Sequence, residues 1–126
     1  MDNKINSSRW YDGFLYSVSM DAMVGKAFVK TISGYIRDNS SVLDIGCGVG
    51  SVVMGLSVKC DHVTGMDLSD KMVNYACKRL AAASVDNAEI LHGSAVDLLT
   101  GVVRTYDYAV MTQFLHEISG DARDLI

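Results

Sequence analysis

Val42-Leu43-Asp44-Ile45-Gly46-Cys47-Gly48-Val49-Gly50-Ser51 is the stretch on which the reading of this chain turns. An apolar run interrupted by one acid leads into three alternating glycines, and a helix-forming segment follows. Glycine lacks a Cβ, so backbone at Gly46, Gly48 and Gly50 can turn sharply and approach another molecule closely. The N–H groups at the start of the following helix favour a negative group there. The dinucleotide fingerprint G-x-G-x-x-G would place its third glycine at position 51, which holds Ser51. That serine, and an aspartate two places before the first glycine, speak against a nicotinamide dehydrogenase.

Outward from this stretch, helix-like and strand-like apolar periods alternate, the signature of an α/β domain with a parallel sheet. Met20, Met23, Ala27, Val29, Ile32, Tyr35 and Ile36 recur at helical spacing before the turn signal Asp38-Asn39-Ser40. The pattern predicts a first strand over 41–46, a helix over 50–59, and a second strand over 62–67. Ser69 is the expected N-cap of the next helix, whose stripe is Met72, Val73, Ala76 and Leu80. A third strand is predicted over 88–92, a short helix near 95–102, a fourth strand over 106–112, and a last helix from about His116.

Four segments in this order resemble the class I S-adenosylmethionine-dependent methyltransferases, and the likeness runs from Val42 to the last residue. Val42–Ser51 is similar to that family's first motif. Val63-Thr64-Gly65-Met66-Asp67-Leu68-Ser69 is similar to its second strand, His92-Gly93-Ser94-Ala95-Val96-Asp97-Leu98 to its adenine-contacting segment, and Tyr106-Asp107-Tyr108-Ala109-Val110 to its fourth strand. The resemblance implies a doubly wound, mostly parallel Rossmann-like methyltransferase fold in strand order 3-2-1-4. It also implies three further strands that this sequence lacks, so the fold reads as truncated after the fourth strand. Residues 1–126 are expected to form a single domain, with 1–40 as an N-terminal helical lid or packing region. Tyr108–Phe114 carries neither charge nor proline, the residues that normally blunt an exposed edge. A fragment of a longer protein, or a homodimer through that edge, would explain this.

The same resemblance implies S-adenosylmethionine as cofactor and S-adenosylhomocysteine as product. The loop of Gly46, Cys47, Gly48 and Gly50 would wrap the cofactor's methionyl part, with its amino and carboxylate groups on backbone at Gly46–Gly48. Asp44 would hold the ammonium, or bond backbone N–H groups of the loop. Asp67 lies about twenty positions beyond Gly46, the spacing of an acid that reaches ribose hydroxyls. Its structural alternative is an N-cap, a role Ser69 can already fill. Leu68 and Met72 would pack on adenine, although Met72 serves equally as helix core. Ser94 stands where many relatives carry an aspartate to the adenine amino group, and Ala95 would offer its backbone N–H. Asp97 reads as a helix-start residue. Tyr11, within the aromatic cluster of Trp10, Phe14 and Tyr16, is the implied lid residue, and an aromatic face can stabilise a sulfonium. Thr112 and Gln113 belong to the sulfur end of the site by position.

Methyl transfer from a sulfonium needs alignment and water exclusion more than acid or base. His116 is the candidate base if the acceptor must lose a proton, against a plain structural role. His62 and His92 read as strand-end residues, and no metal spacing joins the three histidines.

Composition narrows the partners. A net charge of −4 offers no basic footprint for a phosphate backbone, which speaks against nucleic acid and for a small-molecule acceptor. The basic residues Lys26, Lys30, Arg37, Lys78 and Arg79 read as solvated helix faces. Three cysteines without C-x-x-C spacing argue against a disulfide framework or a zinc site. No apolar run reaches membrane-spanning length, and Met1–Trp10 has no signal-like pattern, so a cytoplasmic address is expected. A non-catalytic S-adenosylmethionine-binding or regulatory module, dimeric through the fourth strand, is the alternative to an enzyme.

Overall fold

The structure, a computed structural model, describes residues 23–94, 96–97 and 104–112. Helix α1 spans residues 23–32 and closes in a 3-10 turn, Ser33–Tyr35. There follow β1 (Ser41–Ile45), α2 (Ser51–Ser57), β2 (His62–Asp67), α3 (Asp70–Ala82), β3 (Ala88–His92) and β4 (Tyr108–Val110). The four strands are all parallel, in order β3-β2-β1-β4. This is the doubly wound order expected from the sequence, and β2 and β3 have the predicted bounds.

Alternation along the strands decides what the sheet buries. Val42 and Val63 lie on the face that meets Val52, Val53 and Leu56 of α2 and Leu80 of α3. Side-chain direction alternates along a strand, so this one choice of face sets every other. Thr64 points the other way and is also fully buried. Tyr106 Oη donates to its hydroxyl at 3.0 Å, and Thr64 Oγ1 donates to Glu89 Oε1 at 3.2 Å, so the buried polar group is satisfied.

Helix α1 differs from its predicted face. Phe28, Val29 and Ile32 pack on the core, and Ile36 is buried just past the 3-10 turn, whereas Met23, Ala27 and Tyr35 are exposed. The tighter 3-10 turn rotates Tyr35 off the helical stripe. Close approach of α1 and α2 also matters: a Cβ on Gly55 would stand 2.6 Å from Val29 Cγ2, so no larger residue fits that crossing.

Several boundaries shift, and α2 ends at Ser57, short of the predicted 59. β1 stops at Ile45 because Gly46 takes φ 74°, and α2 starts one residue late because Gly50 is its left-handed N-cap at φ 83°. β4 is shorter than the predicted 106–112. Asp107 closes sideways onto β1, its Oδ2 accepting from Ser41 N at 2.9 Å, and pairing ends at Asp44 opposite Val110 where β1 enters the glycine bend. Of the predicted helix near 95–102, only Val96 and Asp97 are among the described residues; both are helical. The predicted last helix lies outside them.

Candidate cofactor site

The glycine bend sits at the carboxyl end of β1, beside the carboxyl end of β2, where open parallel sheets hold ligands. Gly46, Gly48 and Gly50 all have positive φ, a backbone that side chains rarely adopt. A Cβ on Gly50 would also meet Ala76 Cβ of α3 at 3.2 Å. The bend is therefore built for bare backbone on both counts.

Its N–H groups turn inward. Gly46 N and Cys47 N both donate to Met66 O, at 2.8 and 2.9 Å, and Gly48 N donates to Asp67 Oδ2 at 2.9 Å. The sequence reading offered this backbone to the cofactor's carboxylate as well as its ammonium. Those three donors are engaged within the chain, and several of the bend's carbonyls are too: Cys47 O accepts from Gly50 N at 3.0 Å and Gly50 O from Met54 N at 2.9 Å.

Asp67 is 6% exposed, and its second oxygen accepts from Ser69 N at 2.9 Å. It does not cap α3: Ser69 does, its Oγ accepting from Met72 N. Asp67 thus joins the bend to the turn after β2. Leu68 beside it is 57% exposed, an apolar side chain left facing solvent at the ligand end of the sheet. Met72 is half-buried, between core and surface.

Asp44 is 1% exposed, on the face of β1 that meets α2, with Gly65 opposite it on β2. Gly65 leaves space that Cys47 Sγ, Ile90 Cδ1 and Val53 Cγ2 fill, each 2.9 Å from where its Cβ would be. Cys47 is thereby a core side chain at 5% exposure, and only its backbone belongs to the bend.

Ser94 and Asp97 form a reciprocal cap. Ser94 Oγ accepts from Asp97 N, and Asp97 Oδ2 accepts from Ser94 N, both at 3.1 Å. The spacing S-x-x-D signals this arrangement, and it gives Ser94 a local role that the adenine reading overlooked. Thr112 is half-buried two residues past β4, at the same end of the sheet. Tyr11, Ala95, Gln113 and His116 lie outside the described residues.

Two basic residues read as solvated are engaged. Arg79 of α3 donates through Nη1 to Val49 O at 2.8 Å and to Ser51 Oγ at 2.9 Å, bracing the bend from behind. Arg37 donates through Nε to Tyr108 Oη at 3.2 Å. That bond, with a second from the Arg37 backbone N–H, lowers the Tyr108 pKa, and the side-chain bond, with the charges of Tyr108 and Asp107, raises that of Arg37. Neither pairing leaves a local pattern, since each links residues far apart in sequence.

A parallel sheet in this order, with a glycine bend after β1 and an acid ending β2, defines an α/β domain that binds an adenosine cofactor. The chain belongs to the methyltransferase domain family, which matches it over residues 42–126, and the cofactor such a domain takes is S-adenosylmethionine. It is 32% identical over 74 residues to the ribosomal protein L11 methyltransferase of Clostridium perfringens, a match covering 58% of this chain and 24% of that one. It is also 32% identical over 66 residues to the demethylmenaquinone methyltransferase of Listeria monocytogenes, covering 50% of this chain and 28% of the relative. Among solved structures, PKMT2 from Rickettsia typhi in complex with AdoHcy superposes with a TM-score of 0.58 at 28% identity, covering 68% of this chain and 17% of that one. The chain spans about a quarter of the length of the curated relatives it matches.

Proposed function

We propose that this domain binds S-adenosylmethionine and, in the protein that carries it, transfers the methyl group to a small-molecule acceptor, releasing S-adenosylhomocysteine. The observation that carries the reading is the inward-tied glycine bend with Asp67 at its side. The methionyl ammonium would lie on bend carbonyls near Asp44, the ribose hydroxyls on Asp67, and the adenine against Leu68 and Met72. Thr112 and Gln113 would border the sulfonium, and Tyr11 would close over it. When bound, the cofactor supplies an electrophilic methyl; the chain's part is to hold that methyl in line with the acceptor and keep water away. His116 is the proposed base for acceptors that must shed a proton.

The small-molecule acceptor rests on the acidic balance of the chain, net −4, which suits neither nucleic acid nor another strongly acidic partner. One named relative acts on ribosomal protein L11 and another on demethylmenaquinone. Calorimetry with S-adenosylmethionine, S-adenosylhomocysteine and NAD tests the cofactor: the first two should bind and NAD should not. Equal or tighter NAD binding would end the reading. Radiolabelled methyl transfer into a cell extract, separated into small-molecule, protein and nucleic-acid fractions, tests the acceptor class.

A further inference from the structure

The exit of β3 brings a second carboxylate to the ligand end of the sheet. Gly93, the residue after β3, donates its N–H to Asp67 O at 3.0 Å, so the chain leaves the sheet beside the acid that ends β2. Exits of neighbouring strands lie about 5 Å apart. The space a Cβ on Gly93 would take is bordered by Asp97 Oδ2 at 3.7 Å and Met66 Cε at 3.8 Å. Asp97 therefore folds back over this exit, and Ser94 N holds it there by donating to Oδ2 at 3.1 Å.

We propose that Asp97 selects the base of the bound nucleoside, its carboxylate accepting a hydrogen bond from the exocyclic amino group of adenine. The proposal rests on the cofactor reading given above and adds to it the group that reads the base. An amino group is a donor and needs an acceptor. Ser94 Oγ is committed to the helix start, where it accepts from Asp97 N at 3.1 Å. The Leu68 carbonyl on the neighbouring exit faces His92 Nε2 at 2.8 Å. A carboxylate has two oxygens and about four lone-pair sites, so Asp97 can hold Ser94 N and still accept from a ligand.

The residue type decides what such a contact can discriminate. A hydroxyl such as that of Ser94 both donates and accepts, so it serves an amino group and a carbonyl oxygen alike. An ionised carboxylate only accepts. Adenine presents an amino group at C6, whereas hypoxanthine and guanine present an oxygen there, which would set lone pairs against the carboxylate. The reciprocal cap matters for the same reason: it fixes the direction of the carboxylate, and a hydrogen bond discriminates only when its acceptor is held in place. Leu68 supplies the apolar contact for the face of the ring, and Asp97 reads its edge. Asp97 is exposed, so water competes for the carboxylate and the preference is that of a single solvent-accessible bond.

The test compares, by calorimetry, the Kd for S-adenosylhomocysteine with that for S-inosylhomocysteine, whose base carries a carbonyl in place of the amino group. The parent chain, Asp97→Asn and Asp97→Glu are measured side by side. Asparagine keeps an oxygen for Ser94 N, so the cap survives, but its amide NH2 also donates to a carbonyl. Glutamate keeps both the carboxylate and the capping pattern. The parent should prefer the adenosyl compound by about ten-fold, the low end for a hydrogen bond to a charged group. Asp97→Asn should bind the adenosyl compound more weakly and the inosyl compound more tightly, closing most of that gap, and Asp97→Glu should retain the preference. A preference unchanged in Asp97→Asn, or one lost equally in Asp97→Asn and Asp97→Glu, would overturn base reading by Asp97 and leave the cofactor reading standing. A parent chain that binds neither compound would bring down the cofactor reading itself, and base selection with it.

Discussion

Asp67 Oδ2 accepts a hydrogen bond from Gly48 N at 2.9 Å, tying the end of β2 to the middle of the glycine bend. The two residues lie at the exits of adjacent parallel strands, and the bond ties the acid that ends β2 to the glycine bend after β1.

Replacing Asp67 with alanine removes two backbone hydrogen bonds as well as the proposed ribose contact. Cofactor affinity should fall by roughly 1.5–3 kcal/mol, the range for a lost hydrogen bond to a charged group. Asp67→Asn, with a single side-chain acceptor, should fall between the parent and Asp67→Ala in calorimetry. Unchanged affinity in a folded Asp67→Ala protein would remove this residue from the site.

Gly50→Ala faces two obstacles, a φ of 83° and a Cβ contact of 3.2 Å with Ala76. A left-handed backbone at a non-glycine residue is unfavourable by about 1–2 kcal/mol, and the contact with α3 adds to it. Gly65→Ala meets three neighbours at 2.9 Å inside the core, and overpacking of this kind destabilises by about 1–3 kcal/mol. Urea unfolding followed by circular dichroism should show both losses. Gly34→Ala, where no atom stands within 4 Å, is the control and should leave the midpoint nearly unchanged.

Arg79→Met keeps the aliphatic stem but drops the bonds to Val49 O and Ser51 Oγ. Affinity for S-adenosylhomocysteine should weaken by about 1 kcal/mol, the net worth of a typical protein hydrogen bond. Lys78→Met, on the exposed side of the same helix, should not change it.

Alkaline pH sets two groups against each other. Burial pushes the Cys60 thiol above its ordinary 9.0, so its contribution to stability is complete below that value and is lost as pH rises toward the folded pKa. Arg37 holds the Tyr108 phenol below its ordinary 10.0, so that contribution is present above 10.0 and is lost as pH falls through the folded pKa. Unfolding midpoints between pH 8 and 10.5 should fall less steeply for Cys60→Ala than for the parent, and more steeply for Arg37→Gln. Cys77, which is exposed, should react with iodoacetamide well before the buried Cys47 and Cys60.

Much of this fold was legible from residue order. Strands β2 and β3 were placed at their ends because apolar runs there are bounded by polar turns, and Ser69 announced itself as a cap. The α1 face was harder. Its last turn tightens to 3-10, which no apolar count anticipates, and Tyr35 leaves the stripe it nominally continues. The shortness of β4 was equally hidden, because Asp107 bonds Ser41 across the sheet instead of extending the strand.

The candidate site divides in the same way. Residue order alone established the glycine bend, the acid after it on β2 and the alternation that makes the sheet parallel, because backbone freedom and apolar period are properties of neighbours along the chain. Folding in three dimensions settled where the donors go: Gly46 and Cys47 to Met66 O, Gly48 to Asp67, Arg79 to Val49, and the His92 ring between Leu68 and Asp70. Those pairings join residues about twenty to thirty positions apart. A hydrogen bond depends on ångström-scale distance and direction, and those exist only once the helices have packed on the sheet.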